Sequence, residues 1–103
     1  MDEPHQPGRL SYKRQADLDA DRFSDELMLL LSEQADVLEV DLLNIEYMDS
    51  LEMSYIARFI HMARDRNRSY RVLVSPSVAE TFELVGFTVT RTSGRGCEVD
   101  FGS

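Results

Sequence analysis

Asp41, Asp49 and Ser50 are the residues of this sequence best placed for chemistry. Asp41 stands near the end of an apolar run, Val37-Leu38-Glu39-Val40-Asp41-Leu42, and Asp49-Ser50 stands directly before a long amphipathic stretch. Open α/β sheets bind ligands beyond the carboxyl ends of their strands, so Asp41 with Asp49 has the make-up of a paired-carboxylate or Mg²⁺ site. Catalysis requires more converging groups than two acids. The sequence has no Gly-rich phosphate loop, no nucleophile-elbow serine and no Cys–His pair. Cys97 is the single cysteine, which excludes an intramolecular disulfide and a cysteine-based zinc site. His5 and His61 lie far apart, without ligand-like spacing. The expectation is a protein that is not an enzyme and holds no metal or cofactor.

Ser50 offers a different chemistry, phosphate acceptance. A phosphoserine carries about −1.5 to −2 charge and three strong acceptors. At a helix N-terminus the free N–H groups and the helix dipole tolerate that charge. Glu46, Asp49 and Glu52 would oppose it, and repulsion at an interface could release a partner without a large conformational change. The same residues also read as plain architecture: Asp49 as a helix cap, with Glu52 three positions on completing a capping-box-like arrangement.

The elements that must position these groups follow from hydrophobic periodicity. Residues 37–42 alternate apolar and acidic, the period of a strand with one buried face. The connection Asn44–Asp49 holds Ile45, Tyr47 and Met48, and a helix follows over 50–65 with an apolar stripe at 53, 56, 59, 60 and 63. Upstream, residues 9–13 read as a short strand and 22–33 as an amphipathic helix with Phe23, Leu27, Leu30 and Leu31 on one face. Downstream come a strand over 71–74 and a short helix entered through Ser75-Pro76-Ser77, with Ser77 and Glu80 at capping-box spacing and Gly86 at its end. Strands over 88–92 and 97–101 flank a Ser93–Gly96 turn and suit an antiparallel hairpin. The order β-α-β-α-β-α-β-β predicts an α/β fold: a small mixed, largely parallel sheet with about three crossover helices. Residues 1–8, with Pro4, Pro7 and Gly8, read as a leader, and 9–103 as one domain.

Charge restricts the partners. Eleven Lys and Arg against nineteen Asp and Glu give −8, so a phosphate backbone is repelled and nucleic acid is a poor ligand. The cluster Arg58, Arg64, Arg66, Arg68 and Arg71 reads as a solvated helix end, where cations are favoured. No apolar run approaches a membrane span and the N-terminus has no secretion-signal pattern, so cytoplasmic residence without membrane insertion is the expectation. Met48, Met53 and Met62 read as core fillers, and Tyr55 as either a flank residue or an interface anchor.

Over residues 9–92 the ordered motifs resemble the STAS (anti-sigma-factor antagonist) family. Ala16-Asp17-Leu18-Asp19 is similar to that family's acidic loop before its first helix. Residues 37–50 are similar to its strand, connection and Asp-Ser turn, and Val72–Phe87 to its strand, Ser-Pro turn and Gly-terminated helix. The resemblance implies a regulatory STAS-like module in which Ser50 is phosphorylated by a partner that is both anti-sigma factor and serine kinase. Asp19, Asp49, Ser50, Leu51, Glu52 and Tyr55 would then form the partner surface. Some small STAS proteins instead dock on the ATPase of lipid-transport ABC systems. A scaffold that self-associates, for example as a homodimer, is a third reading. The chain departs from the family pattern after Asp49-Ser50, with Leu51-Glu52 in place of Ser-Gly. The Glu52 side chain is expected to crowd an approaching partner and add charge.

Overall fold

The computed structural model describes residues 7–92, 94 and 96–101. His5, and Ser93 and Arg95 of the expected turn, lie outside them. The elements run β1 (Arg9–Ser11), a 3₁₀ turn (Gln15–Asp17), α1 (Ala20–Leu31), β2 (Val37–Leu42), α2 (Ser50–Asp65), β3 (Ser69–Val74), α3 (Pro76–Leu84), β4 (Thr88–Arg91) and β5 (Cys97–Asp100). This is the mixed α/β fold expected from the alternation of elements. β1, β2 and β3 are parallel neighbours, and β5 inserts antiparallel between β3 and β4, giving the order β1-β2-β3-β5-β4.

Alternation along the strands sorts the two sheet faces. Leu38, Val40, Leu42, Val72, Val74, Cys97 and Val99 are buried, and they join Phe23, Leu27, Ile56, Phe59, Ile60 and Phe82 from the helices in one core. The opposite face carries cross-strand charges: Arg9 pairs with Glu39 at 3.0 Å and with Asp41, and Arg71 lies 3.6 Å from Glu39 and 3.8 Å from Glu98. These side chains are partly solvated, so each pair adds at most about 1 kcal/mol, and their effect is to keep this face polar.

Helix boundaries follow from their caps. α1 begins at Ala20, before the expected residue 22, because Asp19 caps it by accepting the Asp21 N–H. It ends at Leu31, where Ser32 closes the last turn. α2 and α3 both end in Schellman turns. At α2, Arg68 N–H donates to Ala63 O and Asn67 takes φ 55°. At α3, Phe87 N–H donates to Phe82 O and Gly86 takes φ 103°, a conformation free of steric cost only for glycine. The Phe82 and Phe87 rings meet edge-on at 4.6 Å across that turn. The cap of α3 is Ser75, whose Oγ accepts the Val78 N–H, with Pro76 in the first turn. The Ser77–Glu80 spacing is therefore not the cap.

Three other residues differ from the sequence expectation. Arg68, read as solvated, reaches across the fold and donates to Leu31 O at 2.8 Å, Glu33 O at 2.6 Å and Ala35 O at 3.3 Å. It thereby satisfies carbonyls at and beyond the end of α1 that the helix leaves without donors. Arg64 donates to Tyr70 Oη, Phe101 O and Asp100, tying α2 to the end of β5. Gly8, grouped with the leader by composition, is buried, and its N–H donates to Glu33 Oε1 at 2.8 Å.

Candidate functional site

The connections after β1, β2 and β3 meet at the carboxyl ends of the parallel strands, where an open α/β sheet presents its loops. Gln15, in the 3₁₀ turn after β1, holds the β2–α2 loop. Its Oε1 accepts the N–H groups of Glu46 (2.8 Å) and Tyr47 (2.9 Å), and its Nε2 donates to Tyr47 O at 2.9 Å. From the other side Ser75 Oγ donates to Ile45 O at 3.0 Å. The loop's apolar residues divide: Ile45 and Met48 are buried as anchors, whereas Tyr47 is 65% exposed.

The loop enters α2 through a complete capping box. Asp49 Oδ1 accepts the Glu52 N–H at 2.8 Å, and Glu52 Oε1 accepts the Asp49 N–H at 2.9 Å. Glu52 is 7% exposed, so it turns inward and leaves open the approach that a projecting carboxylate would have crowded. Ser50 stands between the two acids as the first helical residue, exposed, and Oγ has no hydrogen-bond partner among the described residues. Leu51 beside it is 51% exposed. Residues 47–51 therefore present an exposed aromatic ring, a hydroxyl and a leucine, on a backbone fixed by Gln15, Ser75 and the box.

The remaining candidate residues have local tasks. Asp19 caps α1 and lies 3.4 Å from Arg22. Tyr55 is half-buried, its ring 6.5 Å from Phe23 on the core flank. Met48 and Met53 are in the core and Met62 packs against it. Asp41 accepts the Leu43 N–H at 3.0 Å and pairs with Arg9, while Asp49 is engaged in the box. The two carboxylates are thus held by separate partners. Among the described residues no cluster of three or more His, Cys, Asp or Glu side chains is arranged to hold a metal ion.

Burial raises the Glu52 carboxyl above its ordinary range, and the charge of Asp49 adds to the rise, although the Asp49 N–H opposes it. The folded chain therefore keeps this proton at a pH where the unfolded chain has released it. The contribution is fully present below the ordinary carboxylate value and is lost as pH rises through the raised one. Glu52→Gln keeps an acceptor for the Asp49 N–H and removes the buried charge. It is expected to flatten this segment of the stability–pH curve and to be at least as stable as wild type at neutral pH. Glu52→Ala loses the acceptor and is expected to cost about 1 kcal/mol. Urea unfolding at several pH values distinguishes the two substitutions.

Among the described residues no helix is long and apolar enough to cross a membrane. Comparison with protein-family models, with curated proteins and with solved structures finds no match to this chain.

Proposed function

We propose that this protein is a regulatory protein-binding module that docks through the β2–α2 loop and the start of α2, and that phosphorylation of Ser50 by a partner serine kinase releases it. The observation that carries the reading is the exposed Tyr47–Ser50–Leu51 surface. Two large exposed side chains, Tyr47 and Leu51, lie within three residues of a hydroxyl that the fold does not use. Exposed aromatic and aliphatic residues on a rigid frame suit a protein interface, where a few anchors carry most of the binding energy. The STAS-like order of motifs supports an anti-sigma-factor antagonist role on the same surface.

The local electrostatics support the switch. A phosphate on Ser50 places about −1.5 to −2 charge between Asp49 and the inward-turned Glu52. Both carboxylates are held by backbone N–H groups, so neither can swing away without opening the box. The added charge meets a partner at the point where Tyr47 and Leu51 would dock.

Intact-mass measurement after incubation with ATP and lysate kinases tests the switch. The wild type is expected to gain one phosphate, Ser50→Ala none, and the phosphorylated form is expected to lose its partner. Absence of any phosphate at Ser50 defeats the switch. Capture of an ABC ATPase instead of a kinase moves the protein to the lipid-transport role.

A further inference from the structure

The sheet ends in two unlike edges. β1 has three residues, follows Pro7-Gly8 and holds Arg9 in ion pairs with Glu39 and Asp41. Short, charged edges of this kind resist addition of a further strand. β4 is also short, four residues, but it is not preceded by proline and reads Thr88-Val89-Thr90-Arg91, with three β-branched residues and one cation at its end. Its register pairs Thr90 with Glu98 and Arg91 with Cys97, and Thr92 N–H donates to Gly96 O at 3.3 Å. The backbone groups of Thr88, Thr90 and Thr92 are therefore directed to β5. By the alternation of an antiparallel ladder, those of Val89 and Arg91 point outward.

Apolar surface and opposite charges adjoin the same edge. Leu84 is 87% exposed and Val85 49% exposed at the end of α3. An open groove of about 130 Å³ between α3 and β4 is lined by Glu80 and Glu83 on one side and Val89 and Arg91 on the other.

We infer that β4 is a self-pairing edge: two copies of the chain join antiparallel about a two-fold axis through Thr90, continuing the sheet from one into the other. The occupant is a second copy because the strand complements itself at this register. Residues facing each other across an antiparallel pair share a sheet face, so the axis must pass through a residue of the strand. Centred on Thr90, the outward backbone groups of Val89 meet those of Arg91 in the second copy, and the reverse. Each Arg91 then lies beside the other copy's Val89, at the groove that holds that copy's Glu83. Centring on Arg91 would instead oppose two like charges. An isologous contact needs this reciprocity, in which one patch supplies both halves of every pair. The net charge of −8 per chain opposes association at low ionic strength. At about 0.15 M salt, where the Debye length is about 8 Å, that long-range repulsion is largely screened and the close Arg91–Glu83 contacts are less affected.

Sedimentation equilibrium of the full chain at that ionic strength tests the inference. The wild type is expected to shift with concentration from 11.8 kDa to twice that mass. Arg91→Glu is expected to raise the dissociation constant at least about tenfold, as is Glu83→Arg, because each sets like charges together. Mixing R91E with E83R is expected to restore dimerisation, because both contacts between the copies become complementary while each copy's own 91–83 pair stays mismatched, a result that repaired folding cannot mimic. Hydrogen exchange at the Val89 and Arg91 amides is expected to slow only at dimer-forming concentrations. A wild type that stays monomeric at its highest soluble concentration overturns the inference. So does a dimer whose affinity ignores Arg91→Glu, since that dimer uses another face. Neither result bears on docking at Ser50, which the intact-mass experiment tests separately.

Discussion

Replacing Tyr47 and Leu51 together by alanine is expected to abolish partner capture while leaving the fold intact. Both side chains are more than half exposed, so the folded state gains little from them, and surface truncations of this kind change stability by about 0.5 kcal/mol or less. Binding has the opposite sensitivity. Anchor residues at a protein interface cost about 2 kcal/mol or more each when truncated, and two of them amount to a loss of about a thousandfold. The geometry favours a full effect because the backbone is already ordered: Gln15 makes three hydrogen bonds to residues 46 and 47, and the box fixes residues 49 and 52. Little ordering entropy is left to oppose association, so contact energy passes more directly into affinity. Titration calorimetry with the captured partner, alongside urea unfolding of the variant, separates the two effects. Unchanged affinity with an unchanged midpoint would show that this surface is not the interface.

Phe23→Ala has the largest expected effect on stability. Phe23 is fully buried where α1 packs on α2, with Tyr12 at 5.8 Å and Tyr55 at 6.5 Å between ring centroids. Deleting a core phenylalanine costs about 3–5 kcal/mol through lost transfer energy and the cavity left behind. A domain of this size has roughly 5–15 kcal/mol in total, so a large part of the stability goes. The neighbours cannot fill the cavity freely. Burial and a 2.7 Å hydrogen bond to Glu26 raise the Tyr12 hydroxyl well above its ordinary range, keeping it a neutral donor, and that bond pins the ring. Phe23→Leu keeps most of the volume and should cost much less. The measurement is the urea midpoint at constant slope, since a changed slope would report a looser native or denatured state instead.

Much of this fold was legible because its elements are locally encoded. The alternation of Val37–Leu42 and the stripe from Met53 to Ala63 mark β2 and α2 with the bounds the structure gives. Asp49 with Glu52 also announced the capping box. What was hidden depends on partners distant in sequence. β4 and β5 read as a hairpin, but the insertion of β5 beside β3 depends on Val74 meeting Cys97, which no local pattern encodes. Arg68 looked like any cation near a helix end until the carbonyls of Leu31, Glu33 and Ala35 lay beside it. Gln15 carried no signal at all: a glutamine in a polar loop looks solvated, yet it bridges two loops of the candidate site. Glu52 was misjudged for the converse reason. Its charge suggested solvent, whereas the box turns it inward. Helical periodicity could have flagged it, because Glu52 lies one position from the buried Met53 and four from the buried Ile56.

Site-specific photo-crosslinking locates the docking surface. A photo-reactive phenylalanine analogue is incorporated in place of Leu51, on the proposed docking surface, and separately in place of Ser69, exposed on the polar face of the sheet. Each protein is irradiated in lysate of its native host. One dominant adduct is expected at position 51, with an ATP-binding regulatory protein, that disappears when Ser50 is phosphorylated and is absent at position 69. Equal adducts at both positions, or an adduct at 69 alone, would contradict docking through this surface.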